Sequence, residues 1–272
     1  MPTVLTAYRW ELRKLVSQKR TYLGLGAATA VPHIFVVALA VQSGAPTDIP
    51  FGRYVRASGL AVPLVLLLFA SIWLFPLVTA LVAGDIIASE HHNGTLKTIF
   101  TRSLDRGQIF AGKALAATTY AALALLLMGG VGVVAGSLES GFNSLTGLSG
   151  QNVSAAHGLE LVVLSFAVYA MPMIAIVCIG LLLSAVTRNS AAAVVGTLMV
   201  ALLMQLIGIL PGLGGAQPYL LTTQFSAWQG FFRLPTDWAP IARAAWICAG
   251  YAGVCGFLAY VSFLRRDVDG DG

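Results

Sequence analysis

The chain has 272 residues, of which 57% are hydrophobic and only 10% are charged. A soluble globular domain carries about 25% charged residues, so this composition excludes an ordinary water-soluble fold and predicts a chain that lies mostly in lipid. The net charge of +5 does not indicate a nucleic-acid partner, because basic loops in a membrane protein set its orientation instead.

Residues 1–20 form the first predicted element, an amphipathic helix at the membrane interface. Apolar side chains recur at helical spacing, at Leu5, Tyr8, Leu12 and Leu15, while the basic residues lie mostly on other faces. This pattern is typical of a helix that buries one side in the headgroup region and turns its basic side toward anionic lipids. A basic flank that only fixes the topology is the alternative, and the pattern leaves it open.

Six apolar segments follow, and each is long enough to cross the bilayer as a helix. Crossing about 30 Å of hydrocarbon takes roughly 20 residues, and a helix satisfies its own backbone hydrogen bonds inside lipid. The predicted spans are 21–41, 59–87, 111–136, 159–187, 191–210 and 243–263. We therefore predict an all-α membrane protein in which residues 1–272 form a single transmembrane domain.

The second and fourth spans are longer than a bilayer requires, so they must tilt, bend or project beyond it. Proline is a common cause of a kink in a long helix, because it lacks the backbone N–H and clashes with the preceding turn. We expect kinks at Pro63 and Pro76 in the second span and at Pro172 in the fourth.

The distribution of Lys and Arg predicts which side of the membrane each loop faces. With six crossings, both termini and the 88–110 loop share one side. That side holds twelve of the sixteen basic residues: Arg9, Arg13, Lys14, Lys19, Arg20, Lys97, Arg102, Arg106, Lys113, Arg188, Arg265 and Arg266. The other side holds Arg53, Arg56, Arg233 and Arg243. Because cytoplasmic loops are enriched in Lys and Arg, both termini and the 88–110 loop are predicted to be cytoplasmic.

The longest predicted outer loop, residues 211–242, is rich in aromatic side chains. Aromatic residues are enriched at the membrane–water interface, so we expect this loop to form interfacial or re-entrant structure. Its aromatic residues include Tyr219, Phe225, Trp228, Phe231, Phe232 and Trp238.

A polar stretch at 89–106 separates two strongly apolar segments. From Thr95 onward its apolar side chains share one helical face and its charged side chains occupy others. The apolar positions are Leu96, Ile99, Phe100 and Leu104. Gly94 can supply the turn before such a helix. A short helix anchored at both ends beside the bilayer suits docking of a soluble partner, although a helix lying flat on the membrane would show the same pattern.

Glu90 and Asp85 fall at the end of the second apolar span, near water. A carboxylate there can cap the next helix, pair with a basic residue of this chain, or pair with a basic residue of a partner. The sequence leaves these interpretations open.

We predict no enzyme site and no metal site in this chain. Residues 107–114 nearly match a phosphate-binding Walker A loop, but Ala114 stands where a hydroxyl would hold Mg²⁺, and the loop leads into an apolar span instead of following a buried strand. His91 and His92 are adjacent and so lack the spacing that places two imidazoles on one helix face. The three cysteines lie within apolar runs and suggest neither a disulfide framework nor a thiolate site.

One part of the chain resembles the permease subunits of the ABC-2 family of ATP-binding cassette transporters. Residues 81–90 read LVAGDIIASE, residues 93–97 read NGTLK, and Arg106 and Gly112-Lys113 follow. In that family the second membrane helix ends near a Glu, and a Gly-Thr-Leu element, a short coupling helix and a Gly-Lys pair come next. The Pro that many members carry in this stretch is absent here, where residues 101–106 read TRSLDR.

The resemblance implies a transmembrane permease subunit of an exporter in a bacterial cell membrane. Such a subunit couples ATP hydrolysis by a separate nucleotide-binding subunit to movement of a solute, such as a drug, a peptide antibiotic or a lipid-like molecule. ATP and Mg²⁺ would bind the partner and not this chain, and a second permease copy, identical or related, would complete the transporter. The expected ATPase-coupling interface comprises Glu90, Gly94, Thr95, Leu96, Lys97, Ile99, Phe100, Arg102, Leu104 and Arg106.

Two other functions stay open at this point. A membrane scaffold or sensor that gates a partner without moving solute would use the same polar stretch. An ion-coupled secondary transporter is the other alternative, and it is typically marked by carboxylates buried along the spans, for which the sequence gives no pattern.

Overall fold

The computed structural model describes residues 3–42, 44, 48–92, 105–187, 189–210 and 215–265, and within these ranges the chain is almost entirely helical. The α-helices are α1 (Val4–Val16), α2 (Lys19–Val41), α3 (Ala61–Ala70), α4 (Leu74–Ala83), α5 (Ala88–His92), α6 (Arg106–Ser140), α7 (Ala155–Thr187), α8 (Ser190–Ile209) and α9 (Ala239–Leu264). Shorter 3-10 helices occur at Gly52–Tyr54, Gln217–Tyr219 and Thr222–Phe232. The strands β1 (Leu145–Thr146) and β2 (Asn152–Val153) form a small antiparallel pair.

Five helices of the described ranges, α2, α6, α7, α8 and α9, are long and apolar enough to cross a membrane singly. Helices α3 and α4 are long and apolar enough to cross a membrane only when they are taken together as one span. That span extends to Glu90 and bends by 60° between the two helices. Apolar side chains cover the outward faces, and Val41, Leu138 and Ile209 are each more than 70% exposed. Such a surface is stable in lipid and not in water. The chain is therefore a multi-pass α-helical membrane protein, which confirms the fold class that its composition predicts.

The second predicted span is interrupted at Ser71-Ile72-Trp73, between α3 and α4. Pro76 follows in the first turn of α4, where it has no N–H to offer the carbonyl of Ile72, and its ring opposes a helical turn at that position. Pro63 lies in the first turn of α3 and interrupts nothing there, because no N–H is needed at a helix start. In the fourth span, α7 continues through Pro172 as one helix.

The 3-10 helix Thr222–Phe232, which we call the aromatic segment, packs into the bundle. Trp228 is fully buried and stacks on Phe51 with ring centroids 5.9 Å apart. Phe225 lies 4.7 Å from the ring of Tyr169, which is near the middle of α7. The Tyr169 hydroxyl in turn donates to the carbonyl of Leu67 in α3 at 3.1 Å. The aromatic segment therefore reaches the depth of the break between α3 and α4.

Glycine permits a close backbone contact where the end of α6 crosses the chain just before α3. A Cβ atom added to Gly136 would lie 2.5 Å from the carbonyl oxygen of Gly59, and one added to Gly59 would lie 2.3 Å from the backbone of Gly136. Small residues allow backbones to approach in this way, and such packing drives helix association where lipid removes the hydrophobic effect.

We predict that Gly136→Ala destabilises the protein by roughly 1–3 kcal/mol, because the new methyl group meets backbone that cannot move aside. The matched control is Gly130→Ala on the same helix, where a Cβ has open space. That change should leave the stability unchanged or raise it by about 0.5–1 kcal/mol. The measurement is the free energy of unfolding in mixed micelles titrated with SDS, and equal stability of the two variants would contradict the packing described here.

Candidate functional site

Six charged side chains gather at the end of the bundle where α5 ends and α6 begins. We call this group the charged cluster; it contains three acids and three bases, so its net charge is zero. Its members are Glu11 and Lys14 of α1, Arg20 of α2, Asp85 between α4 and α5, Glu90 of α5 and Lys113 of α6.

Lys113 is the centre of the charged cluster and is completely buried. Its Nζ atom lies 2.8 Å from Oε1 of Glu11 and 2.6 Å from Oε1 of Glu90. It also donates to the backbone carbonyl of Ile86 at 3.2 Å. An ammonium group has three donors, and here each has an acceptor. This arrangement meets the requirement that a buried charge be both paired and hydrogen-bonded.

Glu90 joins α5 to two other helices. Besides Lys113 of α6, its Oε1 atom binds Nζ of Lys14 in α1 at 2.5 Å. The Glu90 side chain is only 1% exposed, whereas that of Lys14 is 31% exposed. Of the interpretations that the sequence left open, the structure shows pairing with basic residues of this chain, and the pairing is buried.

Asp85 forms the second part of the charged cluster. Its carboxylate pairs with Arg20 at the start of α2 and accepts a hydrogen bond from the hydroxyl of Ser190 at the start of α8. The turn that carries Asp85 is thereby tied to two more helices of the bundle.

The turn between α4 and α5 is irregular, and its backbone groups are satisfied by side chains from other helices. The amides of Ile87 and Ala88 both donate to Oγ of Ser184 in α7, at 3.1 and 2.9 Å. Gly84 starts the turn where α8 comes close, since a Cβ there would lie 2.8 Å from Cα of Val194. These contacts fix the turn that leads into α5, the last described element before residue 93.

Arg106 is the first residue of α6 and is fixed to α9. Its Nη1 atom donates to the carbonyl of Leu264, the last residue of α9, at 2.8 Å. One turn later the ring of Phe110 packs against Tyr260 and Phe263 of α9, with centroids 5.5 and 5.7 Å apart. Both ends of the stretch at 93–104 are therefore anchored.

Two of the ten residues predicted to form a coupling interface, Glu90 and Arg106, belong to the described part of the chain. They lie at opposite ends of the stretch, and each is fixed to a neighbouring helix. The other predicted site residues lie outside the described residues: Gly94, Thr95, Leu96, Lys97, Ile99, Phe100, Arg102 and Leu104.

Glu11 was not predicted as a site residue, and Lys113 served as a topology signal and as part of the Gly112-Lys113 pair of the ABC-2 resemblance, without a predicted partner. One signal for Glu11 was present: it lies four residues from both Ala7 and Leu15, and these three residues form the buried face of α1. A carboxylate on a buried helix face requires a cation in the bundle. Gly112 explains why α1 comes so close to α6, because a Cβ there would lie 2.7 Å from that of Ala7.

The charged cluster is suited to holding helices together. Each of its carboxylates faces a base of the cluster on another helix. Within the described ranges, no group of three or more His, Cys, Asp or Glu side chains could hold a metal ion.

These features define a class of protein. It is a multi-pass helical membrane protein in which contacts with neighbouring helices fix both ends of the polar stretch that joins α5 to α6. The chain belongs to the family described as "protein of unknown function (DUF2705)", whose model matches residues 34–268. No curated protein matches the chain.

We predict that Lys113→Met destabilises the protein by about 3–5 kcal/mol, because it leaves the buried carboxylate of Glu11 without a cation. The double variant Glu11→Gln with Lys113→Met should recover most of the loss, since Glu90 keeps Lys14. As the matched control, Lys14→Met should cost less, because Lys14 is partly exposed and Glu90 keeps Lys113. Unfolding free energies of the parent protein, Lys113→Met, Glu11→Gln and the double variant form a double-mutant cycle, Lys14→Met is the fifth protein and serves as the control, and additive losses in the cycle would refute the pairing.

Proposed function

We propose that this chain is the transmembrane permease subunit of an ATP-binding cassette transporter of the ABC-2 type. It works as an exporter and receives mechanical work from a separate nucleotide-binding subunit. The observation that carries the proposal is the anchoring of both ends of residues 93–104, at Glu90 to α1 and α6 and at Arg106 to α9. A docking element can move membrane helices only if its ends are joined firmly to them.

The topology that goes with this proposal has six crossings, with α3 and α4 counted as one bent span. Both termini and residues 93–104 then share one side of the membrane. The excess of Lys and Arg on that side supports a cytoplasmic position, which is where a soluble ATPase can reach the docking element.

In the proposed mechanism, ATP binding closes two partner ATPases, and the docked stretches at 93–104 move with them. The charged cluster passes this displacement to α4 through Asp85 and to α6 through Lys113. Helix α6 has 35 residues and is about 52 Å long, so it carries the motion across the whole bilayer. The transporter then alternates between two states whose balance is set by nucleotide.

A second permease copy, identical or related, completes the transport path in this proposal. Six helices packed around one core leave little room for a sizeable amphipathic solute, so the path runs between two copies. ATP and Mg²⁺ are bound by the partner ATPase.

Association with an ATPase is the first test. The chain should co-purify with the ATPase encoded in a neighbouring reading frame, and the complex should hydrolyse ATP in a vanadate-sensitive manner. The double change Ile99→Ala and Phe100→Ala should weaken the association about ten-fold or more, as loss of apolar interface anchors does. Leu138→Ala is the matched control, because Leu138 is 84% exposed and lies near the far end of α6.

The outcomes of this test separate the alternatives. Solute flux that is abolished by uncouplers and indifferent to vanadate would identify a secondary transporter. ATPase binding without nucleotide-driven solute flux in vesicles would identify a scaffold or sensor.

Sidedness is tested by cysteine labelling in a variant whose three native cysteines are replaced by alanine. A membrane-impermeant maleimide should label Thr236→Cys in intact cells, and Ser103→Cys only after permeabilisation. Thr236 is exposed in the loop before α9. Labelling of Ser103→Cys from outside would place the docking element on the wrong side for an ATPase and end the proposal.

A further inference from the structure

An open groove of about 440 Å³ runs along one face of α9. Its lining on α9 recurs every three to four residues from Trp246 to Cys255, and Tyr219 contributes from the loop before the aromatic segment. The walls are almost entirely apolar, and the side chains of Trp246 and Val254 are 57% and 61% exposed. An apolar groove on the outside of a membrane helix is covered by hydrocarbon and not by water.

Gly250 gives the groove its depth. A Cβ atom at this position would meet no atom within 4 Å, so the space that a side chain would fill is open. Two contacts hold the side wall in place: the hydroxyl of Tyr251 donates to the carbonyl of Tyr219 at 3.4 Å, and the ring of Tyr219 meets that of Trp246 edge-on, with centroids 6.0 Å apart. The groove therefore has a defined floor and a defined wall.

The length of the groove matches one leaflet of a bilayer. Trp246 and Cys255 are nine residues apart, which corresponds to about 14 Å along a helix that rises 1.5 Å per residue. Half of a hydrocarbon layer of about 30 Å is about 15 Å. The groove is therefore long enough for the acyl chain of a lipid in the leaflet that contains the start of α9.

Arg243 lies one helical turn before the groove and is the single charged residue in α9. Residues three and four positions apart share a helix face, so Arg243 is on the same side of α9 as Trp246 and Ile247. Its side chain is exposed and forms no ion pair with any residue of the described ranges. The nearest acid along the chain, Asp237, already pairs with Arg233 at 3.2 Å.

The polar groups at this end of the groove are mainly hydrogen-bond donors. A guanidinium group has five N–H donors and no acceptor, and the indole N–H of Trp246 is also a donor only. The carbonyl of Tyr219 already accepts the hydroxyl of Tyr251, and the carboxylate of Asp237 faces Arg233. The hydroxyl of Tyr219 can donate or accept, so it adapts to either kind of ligand. A ligand must therefore supply acceptors, and a phosphate adds the negative charge and the geometry that a guanidinium group binds best.

We propose that this groove binds one phospholipid, with its phosphate on Arg243 and an acyl chain along Gly250. Tyr219 and Trp246 lie between these two parts, which is where aromatic side chains commonly meet the boundary between headgroups and hydrocarbon. The order of chemistry along α9, a cation followed by aromatic rings and then an apolar groove, is the order of a phospholipid from phosphate to chain. The proposal concerns lipid binding alone and does not depend on ATP coupling.

The test titrates the full chain in detergent micelles with phosphatidylglycerol and measures bound lipid by native mass spectrometry. Diacylglycerol, which has the same chains and no phosphate, is the comparison and should bind about ten-fold or more weakly. Arg243→Gln should weaken phosphatidylglycerol binding about ten-fold or more, as loss of hydrogen bonds to a charged group does. Gly250→Leu should weaken the binding of both lipids, because the new side chain fills the groove.

Each variant has a matched control that should bind like the parent protein. Arg53→Gln removes the same charge at another exposed position, and Gly26→Leu adds the same side chain on α2, where a Cβ also has open space. Unchanged affinity in Arg243→Gln or in Gly250→Leu, or equal affinity for diacylglycerol, overturns the proposal. Displacement of the lipid by excess inorganic phosphate would identify a site for free phosphate and overturn it as well. If Gly250→Leu does not fold, Gly250→Val replaces it.

Discussion

The buried ammonium group of Lys113 is the contact on which the arrangement of this end of the bundle depends. A charge removed from water must be surrounded by acceptors, and Lys113 finds them on three separate pieces of chain: Glu11 of α1, the carbonyl of Ile86 and Glu90 of α5. Because these groups must lie within hydrogen-bond distance together, the positions of α1 and α5 relative to α6 are set. An N-terminal helix that could have lain loosely on the membrane becomes part of the bundle.

Lipid tails are as apolar as the helix side chains, so the hydrophobic effect does not drive helices together inside the bilayer. Polar contacts and close backbone packing therefore determine which helices associate. In this chain, α4 begins just after the break at Ser71-Ile72-Trp73 and leads at its other end through Gly84 into the charged cluster. The ten residues between them form a rod of about 15 Å.

The candidate site was only partly accessible to sequence reasoning. Glu90 stands out locally as a carboxylate at the end of an apolar span, whereas Arg106 was assigned to the interface only through the resemblance to ABC-2 permeases. The partners of Lys113 were not, because Glu11 is 102 positions away along the chain and no periodicity connects the two. Ser184 gives the same difficulty, because nothing in the residues around it indicates that its oxygen accepts the amides of Ile87 and Ala88. The residues around each partner do not reveal which side chain it meets across the bundle.

The amino-acid sequence by itself determined the helical membrane fold and the approximate positions of the five long apolar helices, and of the three prolines at which a kink was expected only Pro76 follows a break. Each of these follows from properties of consecutive residues: the length of an apolar run, or a missing N–H. Only the tertiary structure decided which polar side chains meet, and that the aromatic segment enters the bundle with Trp228 buried and Trp238 exposed. The physical reason is that these contacts depend on the order and rotation of helices around a common core, and packing between distant segments sets both.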